Sequence, residues 1–222
     1  MIKTIVFDMD GVLIDSEQRI LAAWEAVALE KNIPHVADTL MKCIGITAPE
    51  TEAIFQQAYG KDFPYAEYKA LVSAMFHKEI DTYGIPLKPG VTELFDYLAN
   101  NSYKIGLASS TREVTVKKEM KMAGLLDAFD VIVCGDMVTH SKPHPQIYLT
   151  AASMLGEEPG TCYAIEDSPN GIRSAYRAGM KPIMVPDLIM PDSEIKGLLH
   201  KQFSSLHEVL IYLKTKNGWR FT

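Results

Sequence analysis

Short apolar runs alternate with helical patterns in the part of the chain that follows Pro86. Each run has the length and residue types of a strand, and the runs lie at 103–109, 130–134, 161–165 and 181–185. Helical patterns are found at 111–123, 145–155, 169–178, 193–200 and 206–216. Strands that are apolar throughout are buried on both faces, so this alternation predicts an α/β fold with a doubly wound parallel sheet.

The region before Pro86 has a different pattern. It begins with a β-branched run at 2–7, which we expect to join the same sheet. Apolar residues then recur at helical spacing over 17–31, and only helical patterns are found between about 37 and 83. Thr47 and Glu50 have the spacing of a capping box, which predicts the start of a helix within this region.

This change of pattern predicts two domains. Residues 1–15 and 86–222 are expected to form an α/β catalytic core, and residues 16–85 are expected to form an inserted all-helical cap domain. The insertion follows the first strand directly. A cap at that position can close over a site at the end of the strand and exclude water, so we expect the cap to influence substrate choice.

Composition and charge exclude several classes of partner. Hydrophobic residues make up 47% of the chain and charged residues 23%, which is ordinary for a soluble globular protein. The formal net charge of -6 argues against a nucleic-acid-binding protein and against docking on an anionic membrane. No stretch approaches the ~18 apolar residues of a membrane span, and Asp8 and Asp10 interrupt the N-terminal apolar run of any signal peptide. We therefore expect a cytoplasmic protein, and a monomer because nothing in the sequence demands a partner subunit.

Polar residues follow the predicted strands at the positions where an open α/β sheet binds its ligands, outside the carboxyl ends of the strands. These residues are, in chain order, Asp8, Asp10 and Gly11; Ser109, Ser110 and Thr111; Gly135, Asp136 and Lys142; and Glu166, Asp167 and Ser168. Three of the four groups bring acids or a lysine to one edge of the sheet, and the other brings hydroxyl groups. Such a set predicts a polar site at this edge.

Four of these acids, Asp8, Asp10, Glu166 and Asp167, would converge if their strands are neighbours. Packed carboxylates repel one another, and a divalent cation removes the conflict. A site that offers only oxygen ligands suits Mg²⁺. The alternative is that these acids cap helices or lie in solvated loops. Asp8 and Asp10 are two residues apart, so one could attack phosphorus while the other donates a proton and later activates water.

Ser109, Ser110 and Lys142 are the candidate phosphate-binding residues. Ser110 and Glu113 have capping-box spacing, so we expect Ser110 to cap the following helix while Ser109 faces the ligand near its N-terminus. Lys142 lies beside prolines that stiffen its loop, and its ammonium group would offset the charge of the acids and of a phosphate. The alternative is that the hydroxyl groups only cap the helix and that the lysine is solvated.

These groups resemble, in order and spacing, the motifs of the haloacid dehalogenase superfamily of phosphotransferases. Asp8-Met-Asp10-Gly-Val-Leu resembles its DxDGxx loop, Leu-Ala-Ser109-Ser its hydroxyl motif, Lys142-Pro its lysine motif, and Ile-Glu166-Asp167-Ser-Pro-Asn-Gly its acidic metal motif. The resemblance extends over nearly the whole chain. It implies a Rossmann-like core and, because of the helical insertion, the subfamily with a small helical cap. That subfamily includes sugar-phosphate phosphatases, phosphoglycolate phosphatases and β-phosphoglucomutase.

The resemblance also implies roles for the site residues. Asp8 would be the nucleophile, and Asp10 the general acid and base. Ser109 and Lys142 would bind the transferred phosphoryl group. Magnesium would be held by Asp8, the carbonyl group of Asp10 and Asp167, with Glu166 beside it. An aspartate at the Asp10 position favours phosphate-ester chemistry over dehalogenation.

The resemblance leaves a phosphatase and a mutase as alternatives. The position that holds a histidine in β-phosphoglucomutase is Ile20 here, and the stretch that holds its substrate-binding arginine is Gly45-Ile-Thr-Ala-Pro49. Both differences favour water as the acceptor. We therefore expect a Mg²⁺-dependent phosphatase that acts on a small phosphate monoester, a sugar phosphate, through an aspartyl-phosphate intermediate. A hexose-phosphate mutase is the alternative enzyme, and a binding module without catalysis is a third reading that the intact motifs argue against.

Four cap residues, Glu17, Arg19, Trp24 and Thr47, are candidates for contacts with the substrate. Trp24 lies on the apolar stripe of its predicted helix, so we expect it in the interior of the cap instead. Arg19 lies off that stripe, where a solvated position is the alternative. The sequence gives no reason to prefer any one of these residues as the determinant of specificity.

Overall fold

The computed structural model describes residues 2–216 and contains one six-stranded sheet. Its strands are β1 (Thr4–Phe7), β2 (Lys104–Ser109), β3 (Val131–Cys134), β4 (Cys162–Glu166), β5 (Lys181–Met184) and β6 (Lys201–Gln202). The strand order is β3-β2-β1-β4-β5-β6, and every pairing is parallel. The predicted doubly wound parallel sheet is therefore confirmed. Only β6 was not predicted, because two exposed residues carry no apolar pattern.

The helices lie where the pattern placed them, with one addition. The insertion after β1 contains α1 (Glu17–Lys31), α2 (Val36–Met41), α3 (Ala48–Tyr59) and α4 (Tyr65–Tyr83). The remaining helices are α5 (Val91–Asn100), α6 (Glu113–Met122), α7 (Gln146–Leu155), α8 (Pro169–Arg177), α9 (Ser193–Leu198) and α10 (Leu206–Lys216). Helix α5 was not predicted, although Val91, Leu94, Phe95 and Leu98 are buried at helical spacing along it.

Apolar side chains cover both faces of the sheet. Along β1, Ile5 and Phe7 belong to a cluster that includes residues of α5 and α10. Val6, between them, belongs to a cluster that includes residues of α7 and α8 on the opposite face. Successive side chains of a strand point to opposite faces, so a strand buried on both sides has to be apolar at every position. This arrangement explains the continuous apolar runs in the sequence.

The four helices of the insertion surround an apolar cluster of their own. Trp24 is 3% exposed, and its ring centroid lies 4.7 Å from that of Phe55, so the expectation that Trp24 lies in the interior of the cap is confirmed. This separate cluster supports 16–85 as the proposed extent of the cap, although the exact boundaries remain a proposal. Residues 217–222 of the proposed core lie outside the described residues. Within the described range, no helix has both the length and the hydropathy that a bilayer span requires.

The two connections between the sheet and the insertion run side by side. The backbone N–H of Asp15 donates to the carbonyl group of Pro86 (2.7 Å), and that of Lys88 donates to Leu13 (2.9 Å). The side chain of Lys88 also contacts Asp15 (3.2 Å) and Asp187 (2.9 Å), which follows β5. Both connections are thereby tied to the core beside the carboxyl end of the sheet.

Candidate active site

The centre of the sheet brings the sequence-predicted residues to one place. Strand β1 lies between β2 and β4, so their carboxyl ends are neighbours. Asp8 directly follows β1, and its backbone N–H donates to Ile165 of β4 (2.9 Å). Ser109 ends β2 and Glu166 ends β4. All three side chains are buried, as are those of Lys142 and Asp167.

Lys142 links two of the acids. Its Nζ atom lies 2.8 Å from Oδ1 of Asp8 and 2.7 Å from Oε1 of Glu166, and it donates to the carbonyl oxygen of Ala108 (3.0 Å). Burial opposes the charge on Lys142, but Asp8 and Glu166 outweigh this effect and raise its pKa above the ordinary value. The side chain is therefore a fixed, fully buried cation, and the alternative of a solvated loop lysine is wrong.

Three carboxylates form a buried cluster around this cation. Oxygen atoms of Asp8, Glu166 and Asp167 all lie within 4.8 Å of one another. Burial, followed by repulsion from Glu166, raises the pKa of Asp8 to about 7, although Lys142 opposes the shift. The same two causes raise the pKa of Asp167 well above its ordinary value. One ammonium group thus faces three carboxylates, and an oxygen-only donor set with excess negative charge is of the kind that Mg²⁺ binds.

Asp10 lies beside this cluster but is held by other partners. Its Oδ1 atom accepts a hydrogen bond from Ser16 (2.6 Å), and its Oδ2 atom accepts one from Thr111 (3.0 Å). The expected gathering of four carboxylates is therefore reduced to three, because these two hydroxyl groups hold the side chain of Asp10 apart. Its carboxylate does not belong to the cluster that could hold a metal ion.

The two serines at the end of β2 have different environments from those expected. Ser109 is fully buried, and its Oγ atom accepts a hydrogen bond from the backbone of Thr111 (3.1 Å). The prediction that Ser110 caps α6 is wrong, because the helix begins three residues later, at Glu113. The backbone N–H of Glu113 instead donates to Asp136 from the loop after β3 (3.0 Å). The hydroxyl group of Ser110 donates to the carbonyl oxygen of Gly45 in the cap (3.1 Å).

Two glycines allow the acids to approach the backbone closely. A Cβ atom on Gly11, whose φ is +73°, would lie 2.3 Å from Oδ2 of Asp167. A Cβ atom on Gly171 would lie 1.9 Å from the carboxyl carbon of Glu166. Both contacts are shorter than real side chains tolerate, so any other residue at these positions would displace the acidic cluster.

The cap candidates have distinct surroundings. Glu17, in the first turn of α1, interacts electrostatically with the site: burial, then repulsion from Asp10 and Asp8, raises its pKa to about 8. Arg19 forms an ion pair with Glu79 of α4 within the cap, so the alternative of a simply solvated arginine is wrong. Thr47 precedes α3 and forms the predicted capping box with Glu50.

Sequence reasoning assigned no role to two residues that support the site. Tyr148 of α7 donates a hydrogen bond to Oε1 of Glu166 (2.6 Å), and Ser168 donates one to Oε2 (3.2 Å), so the buried carboxylate has two donors besides Lys142. Ser16 holds Asp10 as described above. Tyr148 lies in an apolar helical segment, where nothing in the sequence distinguishes it from an ordinary interior aromatic residue.

Comparison with known proteins identifies the family of this chain. Residues 5–185 match the family model described as haloacid dehalogenase-like hydrolase. The chain is 30% identical over 224 residues to the beta-phosphoglucomutase of Bacillus subtilis (90% of this chain, 95% of that protein). It is 31% identical over 213 residues to hexitol phosphatase B of Escherichia coli O157:H7 (92% of each chain).

A solved structure extends the likeness to the fold. CbbY from Rhodobacter sphaeroides, crystallised in complex with phosphate, superimposes with a TM-score of 0.78 at 26% identity and covers 94% of this chain and 96% of its own. The family model covers most of the chain, and the curated relatives are covered over nearly their full length. The chain therefore belongs to the haloacid dehalogenase-like hydrolase family.

Proposed function

We propose that the protein is a Mg²⁺-dependent phosphatase that hydrolyses a phosphate monoester of a small sugar through an aspartyl-phosphate on Asp8. The observation that carries the proposal is the buried contact of Lys142 with Asp8 and Glu166, next to Asp167. A nucleophile, a fixed cation and a set of acidic oxygens lie together at the carboxyl end of a parallel sheet. These are the parts that phosphoryl transfer needs, because its catalysis depends mostly on positioning and charge compensation.

The acidic cluster fits a magnesium ion. The carboxylates of Asp8 and Asp167 and the carbonyl group of Asp10 would hold it, with Glu166 beside them. When bound, the ion would neutralise the charge that three carboxylates and a phosphate bring to one site. The raised pKa values of Asp8 and Asp167 agree with this assignment, because burial and then repulsion from Glu166 disfavour their charged forms and Lys142 offsets this only in part.

Asp8 and Asp10 divide the chemistry between them. A carboxylate oxygen of Asp8 attacks phosphorus, the bond from phosphorus to the sugar oxygen breaks, and Asp10 donates its proton to the leaving oxygen. Asp10 then takes a proton from water, which attacks the phosphorus of the aspartyl-phosphate and releases inorganic phosphate from Asp8. The hydrogen bonds from Ser16 and Thr111 fix the carboxyl group of Asp10 for both steps.

Lys142 and Ser109 hold the transferred group. The ammonium group of Lys142 cannot leave its position without losing two ion pairs, so it is organised for charge on the phosphoryl oxygens before the substrate arrives. Ser109 offers a buried hydroxyl group at the end of the neighbouring strand. The hydroxyl group of Ser110 donates to the cap instead, so Ser109 is the proposed phosphate ligand at the end of this strand.

The names of the relatives support a sugar phosphate as the substrate. One relative is a phosphatase of hexitol phosphates by its name, and another is a phosphoglucomutase. Glu17, in the first turn of the first cap helix, is near enough to Asp10 and Asp8 to be repelled by them, so it is the cap residue that we propose to bind hydroxyl groups of a sugar. The monomeric state and the cytoplasmic location remain predictions.

A hexose-phosphate mutase is the second candidate, and the 30% sequence identity to the beta-phosphoglucomutase of Bacillus subtilis favours it. Two positions argue for the phosphatase. Ile20 packs against the apolar cluster of the cap and has no group that could activate a sugar hydroxyl. The segment from Gly45 to Pro49 contains no cation for a second phosphate.

Phosphate release from a panel of sugar phosphates, nucleotides and phosphoglycolate, with and without Mg²⁺, tests the proposal. We expect release from sugar phosphates that requires Mg²⁺ and is abolished in Asp8→Asn. Conversion of β-glucose 1-phosphate to glucose 6-phosphate with little free phosphate would establish the mutase instead. Release that is equal in Asp8→Asn would refute the mechanism.

A further inference from the structure

The segment that joins α2 to α3, together with the first turn of α3 (residues 43–50, here called the cap loop), contacts the core at several points. The carbonyl oxygen of Ile44 accepts a hydrogen bond from Asn170 (3.1 Å). The carbonyl oxygen of Gly45 accepts one from Ser110 (3.1 Å). The carboxylate of Glu50 accepts one from Ser141. The cap loop therefore contacts the core segments that follow β2, β3 and β4.

Three core residues that the cap loop approaches are direct sequence neighbours of the proposed catalytic groups. Ser110 follows Ser109, and Ser141 precedes Lys142. A third neighbour is Ser168, which follows Asp167: a Cβ atom on Gly45, whose φ is +79°, would lie 2.6 Å from its Oγ atom. The cap loop thus approaches the core one residue away from the side chains that would handle the phosphoryl group.

Glu50 makes the contact that bears most directly on charge placement. Its Oε2 atom accepts hydrogen bonds from the backbone N–H of Thr47 (3.1 Å), from the hydroxyl group of Thr47 (2.8 Å) and from Ser141. The capping box therefore fixes this carboxylate on the cap, and the same oxygen reaches the core. Burial opposes its charge, but the hydrogen bonds from Ser141 and Thr47 outweigh burial and hold the pKa of Glu50 below its ordinary value.

Ser141 is well placed to transmit this contact. It is 8% exposed, and its hydroxyl group also lies 3.2 Å from the carbonyl oxygen of Lys142. Without Glu50, the carbonyl group of Lys142 would be the remaining acceptor for the hydroxyl group of Ser141. The segment that carries Lys142 would then lose this hydrogen bond to the cap. A displacement of about 1 Å in a catalytic group can lower a rate by about 10²-fold.

We propose that Glu50 is a positioning residue, which acts through Ser141 to couple the docking of the cap loop to the placement of Lys142. This inference rests on the proposed function, because it assigns Lys142 to the phosphoryl group. It predicts a loss in kcat that exceeds any change in KM, because the affected cation acts on charge that develops during transfer.

Steady-state kinetics on the best sugar phosphate, with Glu50→Ala, Glu50→Gln and Ser141→Ala, tests the coupling. We expect the two alanine variants to lower kcat by about tenfold to a hundredfold with a smaller change in KM. The glutamine variant should recover most of kcat, since its Oε1 atom can accept the same hydrogen bonds. The matched control is Glu52→Ala on the same helix. The carboxylate of Glu52 accepts a hydrogen bond from Gln56 of that helix (3.3 Å), so its removal should leave kcat unchanged.

A double-mutant cycle makes the test specific. If Glu50 acts through Ser141, the variant Glu50→Ala/Ser141→Ala should be no slower than the slower single variant. Effects on kcat that multiply, or a Glu50→Ala enzyme with the kcat of the Glu52→Ala control, would overturn the inference. If Glu50→Ala does not fold, Ser141→Ala, which removes one oxygen atom, carries the test. Failure of the proposed function would be distinct, because the unmodified protein would then release no phosphate.

Discussion

The Nζ atom of Lys142 lies 2.7 Å from Oε1 of Glu166, and neither side chain is accessible to solvent. A buried ion pair is costly to break, because the charge that remains stays out of water without its partner. The pair also joins the end of β4 to the loop after β3, while the 2.8 Å contact of the same ammonium group with Asp8 reaches the end of β1. One cation thus connects three segments of the core.

Removing the acidic partner of this pair should destabilise the fold. We expect Glu166→Ala to lower the free energy of unfolding by about 1–3 kcal/mol, because Tyr148 loses a buried acceptor and Lys142 keeps only Asp8 of its two ion-pair partners. Urea unfolding followed by circular dichroism measures this loss. The control is Glu194→Ala, which removes an exposed partner of Arg173 and should cost less than about 1 kcal/mol. Equal losses in the two variants would show that the buried pair does not contribute as described.

Removing the charge of Lys88 should destabilise the protein more than removing the charge of Asp187. The side chain of Asp187 is 3% exposed, and its Oδ2 atom is one of two buried side-chain atoms without a hydrogen-bond partner in the described part of the chain. Lys88→Met leaves this carboxylate buried without its cation, which we expect to cost about 3 kcal/mol. Asp187→Asn removes the buried negative charge, and Lys88 keeps Asp15 as a partner. The loss of stability in Asp187→Asn should therefore be smaller. Thermal unfolding of both variants gives the comparison, and a larger loss in Asp187→Asn would contradict it.

Glu119 should make stability depend on pH. This residue of α6 is 4% exposed; burial, then repulsion from Asp10, raises its pKa to about 8. The native state therefore keeps a proton that the unfolded chain loses near pH 4.5. As a result, Glu119 lowers the free energy of unfolding progressively between about pH 4.5 and pH 8. We expect Glu119→Gln to raise Tm by a few degrees at pH 8 and by much less at pH 5. Each kcal/mol gained in the free energy of unfolding should raise Tm by about 2–4 °C. An equal change at both pH values would argue against a raised pKa.

Magnesium should stabilise the protein through the acidic cluster. A ligand that binds the native state alone stabilises it by about 2.7 kcal/mol at a hundred times its Kd. We therefore expect EDTA to abolish phosphate release and added Mg²⁺ to raise Tm. Asp167→Asn should lose most of the increase in Tm, because it removes one of the three clustered carboxylates. The control Glu194→Gln lies outside the cluster and should keep the full increase, whereas an undiminished increase in Asp167→Asn would place the ion elsewhere.

The parts of the fold and site that the sequence predicted share a physical reason. Strands buried on both faces must be apolar throughout, and ligand groups at the carboxyl ends of parallel strands must follow those runs directly. Asp8, Ser109, Glu166 and Asp167 obey both conditions. The structure clusters the three carboxylates and buries Ser109 at the end of the neighbouring strand. Their order along the chain was therefore enough to predict one site.

The features that were missed depend on contacts between segments distant in sequence. Ser110 has local capping-box spacing, but Asp136 from another loop accepts the hydrogen bond from the first backbone N–H of the helix. The sequence indicates that Tyr148 is an ordinary interior residue, and only the structure shows that its hydroxyl group donates to Glu166. Glu50 reads as part of a local cap, and only the fold brings it to Ser141. In each case the local pattern was compatible with several partners, and tertiary packing selected one.

The central claim is that Asp8 becomes phosphorylated during turnover. Rapid acid quenching of the reaction with the best sugar phosphate in Mg²⁺, followed by peptide mass spectrometry, tests it directly. We expect one phosphoryl group on the peptide that contains Asp8, and none on the same peptide from Asp8→Asn. Phosphate release by the unmodified protein without any label on Asp8, or a label on another residue, would contradict the mechanism.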